Sequence, residues 1–118
     1  NCREECKQAM CRLMERFDCL VTPVTATPAF PHIKPDRLVN GQPIYGKFSV
    51  DGQETLYAKA NLGYTTPFFT ANPVLSIPVG MTGDGLPVGV QVVCGMYDDL
   101  KLLHIARYFK EKGLASTL

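Results

Sequence analysis

The chain has 118 residues, 46% of them hydrophobic, and its twelve Lys and Arg nearly balance eleven Asp and Glu. That is room for one small domain of ordinary globular composition. It excludes the basic field of a nucleic-acid-binding protein. No apolar run approaches the roughly 20 residues that a membrane-spanning helix requires.

The opening Asn1-Cys2-Arg3-Glu4-Glu5-Cys6 has neither an initiator Met nor a signal-peptide pattern. It begins inside a charged, helix-like stretch, as expected of a cut or processed chain. Cys6, Met10, Leu13, Met14 and Phe17 recur at helical spacing with Arg, Lys, Gln and Glu between them. This predicts an amphipathic helix over 1–17, ended by Asp18. Cys19-Leu20-Val21-Thr22 then reads as a short buried strand.

From Pro23 the character changes. Pro23, Pro28, Pro31, Pro35 and Pro43 each remove a backbone donor and disfavour helix before them, so 23–53 reads as a proline-rich, mostly extended loop region. Asn40-Gly41 and Asp51-Gly52 are turn dipeptides that allow short hairpin excursions within it. A loop of this length counts against independent folding unless it wraps around something else.

Residues 54–63 are a modest helix candidate, with Leu56, Ala60 and Gly63 along one side. Thr65 and Thr66 before Pro67 predict a cap for one or two helical turns over Pro67-Phe68-Phe69-Thr70-Ala71. Over 64–91 a sheet motif follows: Asn72-Pro73-Val74-Leu75-Ser76-Ile77-Pro78-Val79-Gly80, a turn at Asp84-Gly85, and Gly85-Leu86-Pro87-Val88-Gly89-Val90-Gln91. Its apolar strands suit a sheet covered on both faces, and Pro78 predicts a strand end or a sheet edge there. Asp98 and Asp99 start a helix over 98–112 with a stripe of Leu102, Leu103, Ala106 and Phe109, stopped at Gly113. The order is that of an α/β fold, and three short strands make a poor sheet alone, so a part of a larger sheet is expected.

The five cysteines are Cys2, Cys6, Cys11, Cys19 and Cys94, an odd number that leaves at least one thiol unpaired. Reduced thiols in a cytoplasmic protein are the simplest reading, and the absence of an Asn-x-Ser/Thr acceptor leans the same way. Cys2-x3-Cys6-x4-Cys11 does not match the tight pairs of structural zinc, so neither a metal nor a cofactor is expected. A thiol- or metal-based protein stands as the minor alternative.

A serine hydrolase needs a hydroxyl with a base in reach and an oxyanion pocket. Ser49, Ser76 and Ser116 are the only serines, and none lies in a nucleophile elbow or a glycine-serine-rich loop. Ser76 reads as a mid-strand hydroxyl bonded to nearby backbone. His32 and His104 have no partner at a defined spacing and read as surface residues. Asp98-Asp99 reads as a helix cap. Gly83-Asp84-Gly85-Leu86-Pro87-Val88-Gly89 lacks the lysine and hydroxyl of a phosphate loop and reads as a strand connection. Tyr64, Phe68 and Phe69 form an aromatic cluster suited to packing or to lining an apolar pocket.

Two blocks resemble the amidase signature family: Phe17-Asp18-Cys19-Leu20-Val21-Thr22-Pro23-Val24-Thr25, and the stretch from Tyr64 through Gln91 followed by a helix. The specific part is Asn-Pro-x-Leu-Ser-x-Pro-x-Gly combined with Gly-Leu-Pro-Val-Gly-x-Gln. The resemblance implies the C-terminal part, roughly the last quarter, of a mixed twisted β-sheet flanked by helices and incomplete on its own. It also implies an amidase-type hydrolase cleaving carbon–nitrogen amide bonds. Its Ser-Ser-Lys machinery would come from an N-terminal portion of the same enzyme, with no catalytic residue in this chain. The implied substrate is a small amide, with no nucleic-acid partner and no membrane span, and a homo-oligomer is left open. The family's Asn-Leu-x-Gly is here Phe68-Phe69-Thr70-Ala71, which loses a glycine and an amide and points to a reshaped substrate pocket at Asn61, Tyr64, Phe68 and Phe69. Asn61 stands near the position of the acidic residue that holds glutamine's amino group in the related glutamine-dependent amidotransferases, and being neutral it points to a general amidase. The competing reading is a non-catalytic interaction or binding module built from the amidase end.

Overall fold

A computed structural model describes residues 1–65, 67 and 70–116. They fall into two compact units, Asn1–Val24 with Tyr64–Leu118, and Thr25–Gly63. The pairing of strands is antiparallel throughout the described residues.

The first unit is built on a three-stranded sheet. Helix α1 spans Cys2–Met14, with the Asn1 side chain accepting from the Arg3 N–H, and Met10 is its buried residue. The helix stops before Phe17, which is 52% exposed and so no part of the packed stripe. Strand β1 is Leu20–Pro23 and pairs with the strand at Pro87–Val93, which also pairs with Val74–Met81. Numbered in chain order, with the second unit's strands as β2 to β5, these are β7 and β6, and the sheet order is β1-β7-β6.

Pro78 lies in β6 as expected of an edge, but it does not end the strand. The register slips between Pro78 and Gly80, leaving Val79 as an extra residue opposite β7. A bulge of this kind absorbs a position that cannot donate to the ladder. Opposite it, a Cβ on Gly89 would sit 3.1 Å from the Ile77 carbonyl oxygen, which is why the second motif carries glycine there. The turn between the strands has Gly85 at φ 78° and closes with Thr82 N–H on the Leu86 carbonyl and Gly85 N–H on that of Thr82.

The last helix, α3 (Asp99–Glu111), packs on one sheet face. Leu102 joins Ile77, Val92 and Cys94 in the core, with Leu75, Val90, Ile105, Ala106 and Phe109 against them. The packed stripe is therefore 102, 105, 106 and 109. Leu103, expected in it, is 58% exposed because it sits about 100° around the helix from Leu102. Asp98 occupies the N-cap position without making a side-chain cap bond; its carboxylate lies 4.0 Å from Lys101. At the other end Gly113 takes φ 68°, with its N–H on the Lys110 carbonyl and the Leu114 N–H on that of Phe109. That is a Schellman ending, the physical reason for the predicted stop.

Within the expected extended region the second unit forms two hairpins at the turn dipeptides named from the sequence, β2 (Arg37–Val39) with β3 (Gln42–Ile44), and β4 (Lys47–Val50) with β5 (Gln53–Leu56). Their turns are Asn40-Gly41 (φ 51° and 77°) and Asp51-Gly52 (φ 50° and 76°). Two positive φ values are what a two-residue primed turn requires, and Asn-Gly and Asp-Gly supply them. Because the second turn returns 53–56 along β4, the helix expected from 54 is strand until Leu56. Helix α2 covers only Tyr57–Leu62, with Ala60 buried. Rings of Phe30, Phe48, Tyr45 and Tyr57 pack together, with centroids 4.7 Å apart for Phe30–Phe48 and for Tyr45–Tyr57.

Candidate functional site

Alternation along the three strands sorts the sheet into two faces. Val92, Ile77, Leu75 and Val90 face α3. On the opposite face the register aligns Thr22, Gln91 and Ser76 in one row across β1, β7 and β6. Gln91 stands between the valines of its strand, and its side-chain amide donates to the Tyr64 carbonyl at 2.7 Å. The row ties the start of the 64–73 segment to the sheet.

The other end of that segment is held by Asn72 and Pro73. Cys94 N–H donates to the Pro73 carbonyl at 3.1 Å, but proline has no N–H to return the bond. The Asn72 side chain supplies the missing donor, its Nδ2 reaching the Cys94 carbonyl at 2.7 Å. Thus Asn-Pro extends the ladder by one step while excluding a backbone donor. Just before it, the Asn72 N–H and the fully buried Thr70 hydroxyl both donate to the Pro67 carbonyl.

Two non-glycine residues here take the left-handed region, Ala71 at φ 59° and Tyr97 at φ 67°. Both line a cavity of about 350 Å³ together with Pro67, Asn72, Pro73 and Asp99. Strained backbone clusters where surroundings over-determine a conformation, and such places are often functional. Ala71 is also the position where the family resemblance calls for glycine, the residue that takes a positive φ at no steric cost.

Of the sequence-predicted pocket residues, Tyr64 lies in the sheet unit with its carbonyl on Gln91, and Asn61 lies in α2 of the other unit. The Asn61 amide donates to the Tyr57 carbonyl one turn back at 2.9 Å. Phe68 and Phe69 lie outside the described residues, as does Thr66. Sequence reasoning gave no role to Thr22 or Gln91. The signal was a single polar residue in the run Val90-Gln91-Val92-Val93, inside a strand otherwise apolar.

Ser76 is exposed on the edge strand, in the polar row rather than bonded into a catalytic pair. Among the described residues no three His, Cys, Asp or Glu side chains cluster to hold a metal ion. Lys101 pairs with Asp18 at 3.1 Å, and that bond holds its ammonium above the usual lysine value. The row is engaged with backbone, the Thr22 hydroxyl donating to the Pro23 carbonyl and the Gln91 amide to that of Tyr64. It holds no base to generate a nucleophile.

The antiparallel sheet with the last helix on one face matches part of the fold of solved amidases. The chain belongs to the amidase family, whose profile matches residues 1–103. It is similar to the A-type component of the glutamyl-tRNA(Gln) amidotransferase of Treponema pallidum, 28% identical over 108 residues, covering 92% of this chain and 18% of that protein. It is also similar to the 6-aminohexanoate-cyclic-dimer hydrolase of Paenarthrobacter ureafaciens, 34% identical over 91 residues, 76% of this chain and 18% of that one. Among solved structures, an amidase superposes with a TM-score of 0.73 at 24% identity over 93% of this chain and 23% of its own. A 6-aminohexanoate cyclic dimer hydrolase complexed with substrate superposes at 0.64 with 27% identity, over 95% and 23%. The chain thus spans about a fifth of the length of the relatives it matches and is a partial domain of the amidase fold. No helix among the described residues is long and apolar enough to cross a membrane.

Proposed function

We propose that residues 1–118 are the C-terminal segment of an amidase-like domain that hydrolyses carbon–nitrogen amide bonds. In this reading an N-terminal portion of the same enzyme supplies the Ser-Ser-Lys machinery and this chain supplies scaffold and pocket wall. The observation that carries it is the family match over residues 1–103 in a chain about a fifth as long as its relatives. Exposed apolar residues on the sheet, Val21 at 46% and Met81 at 59%, support it, because apolar strand surface of this kind is ordinarily covered by further protein.

The substrate is a small amide. Tyr64 and the Phe68–Ala71 lead-in shape one wall of its pocket. Asn61 is read separately: a neutral amide already engaged with the Tyr57 carbonyl does not attract an amino group as a carboxylate would. That favours hydrolysis over glutamine-dependent amide transfer, as does the 34% identity to a cyclic-dimer hydrolase. Five thiols without a disulfide support residence in a reducing compartment such as the cytoplasm.

The test uses a fluorophosphonate serine probe and an aryl amide substrate. The 118 residues alone should be neither labelled nor active. The same residues joined to a Ser-Ser-Lys portion should be both. Labelling of Ser76 in the chain alone would sink the proposal.

A further inference from the structure

We propose that Cys19 and Cys94 form a cross-strand dithiol that a peroxide oxidises to a disulfide, a modification site separate from the amide chemistry. Leu20 of β1 is paired with Val93 of β7, and one step outward the same antiparallel register sets Cys19 opposite Cys94. The kind of pair follows from the hydrogen bonds. A strand residue's N–H and C=O point to the same neighbour, and both of those of Cys94 are used on the β6 side, by the Pro73 carbonyl and the Asn72 amide. Towards β1 the pair is therefore of the non-hydrogen-bonded type, for which Cα atoms lie about 4.5 Å apart with side chains close. A disulfide accepts Cα separations of about 4.4–6.8 Å.

The packing agrees. Cys94 is fully buried in the core cluster with Leu102, and Cys19 packs against that same cluster, so both thiols lie on the α3 side of the sheet. Burial is the first cause that pushes the Cys94 thiol up, and the closeness of Cys19 is the next. Burial and Asp18 raise Cys19, while Lys101 opposes both shifts. Thiolate is scarce at either sulfur, so the reaction is slow and selects for proximity.

Cys19, the partly exposed member, reacts first. Its thiolate sulfur bonds to one peroxide oxygen, the O–O bond breaks, and the departing hydroxide takes a proton to become water. The Cys94 sulfur then displaces the hydroxyl of the Cys19 sulfenic acid. The S–S bond forms as the S–O bond breaks, and the hydroxyl leaves as water with the Cys94 proton. Two thiols lose two electrons and two protons, and one hydrogen peroxide becomes two waters.

The experiment treats the folded, reduced protein with hydrogen peroxide, blocks remaining thiols, and maps tryptic peptides without reduction. Each of the two relevant peptides, Phe17–Arg37 and Ala60–Lys101, contains one cysteine. The expected result is a species joining them, two hydrogens lighter than their sum, that dithiothreitol separates and that is lost in Cys19→Ser. A C2S/C6S/C11S variant should keep it. Accumulation of Cys19 sulfinic acid beside an intact Cys94 thiol would overturn the proposal. So would a cross-link that forms only in denaturant.

Discussion

Ala71 is exposed, sits at φ 59°, and occupies the position where the family resemblance calls for glycine. Replacing it with glycine removes the clash between Cβ and the following carbonyl that costs an L-residue roughly 1–2 kcal/mol in this region. The substitution also enlarges the unfolded ensemble, which returns about 0.4–1 kcal/mol. The methyl group adds little packing from an exposed site, so Ala71→Gly should stabilise the protein by ~0.5–1 kcal/mol. With a urea m-value of about 2 kcal/mol/M, the unfolding midpoint should rise by about 0.3–0.5 M at unchanged slope. Equilibrium urea melts followed by circular dichroism would measure this. A midpoint that falls by a similar amount would refute the reasoning, since that is the expected sign for Ala→Gly at negative φ.

Asn72→Leu should cost about 1–3 kcal/mol, because the Cys94 carbonyl loses the donor that replaces the missing proline N–H; urea midpoints would show it, and an unchanged midpoint would count against the ladder-extension role. Gly89→Ala forces a Cβ to 3.1 Å from backbone oxygen at Ile77 and should cost about 1–3 kcal/mol by the same assay. Leu102→Ala, opening the core under α3, should cost about 2–5 kcal/mol. Cys19 and Cys94 should react with iodoacetamide at pH 8 more slowly than exposed Cys2 and Cys11, as peptide mapping over time would reveal. Because the fold holds both thiols above their usual value, near 9.0, it keeps protons the unfolded chain releases. Their contribution is complete below that pH and fades as pH rises beyond it, so the urea midpoint should decline there and decline less in Cys19→Ser.

The two motif strands, their turn and the last helix were legible because their signals are local. Asp84-Gly85, Asn40-Gly41 and Asp51-Gly52 each encode a backbone conformation that few other residues take. Gly113 likewise encodes its Schellman stop. Leu103 was misplaced because Leu102 and Leu103 are equally apolar, and only the sheet decides which one faces it. The strand at Gln53–Leu56 was hidden because its partner, not its composition, makes it extended. Of the site, the Asn-Pro and Gly-Leu-Pro-Val-Gly-x-Gln blocks were visible as motifs, while their physical roles were not. The row of Thr22, Gln91 and Ser76 joins residues from three strands, and the register that aligns them is a tertiary fact.

The bulge at Val79 has a further consequence beside Pro78. The Pro78 carbonyl accepts the Ser116 N–H at 2.8 Å, from the chain just beyond α3. A foreign strand arriving there would find no donor at Pro78, an acceptor already engaged, and a register broken by the bulge. Those are the devices by which sheets resist templated growth into fibrils. The residue that interrupts the first motif therefore also guards the middle of its strand against aggregation.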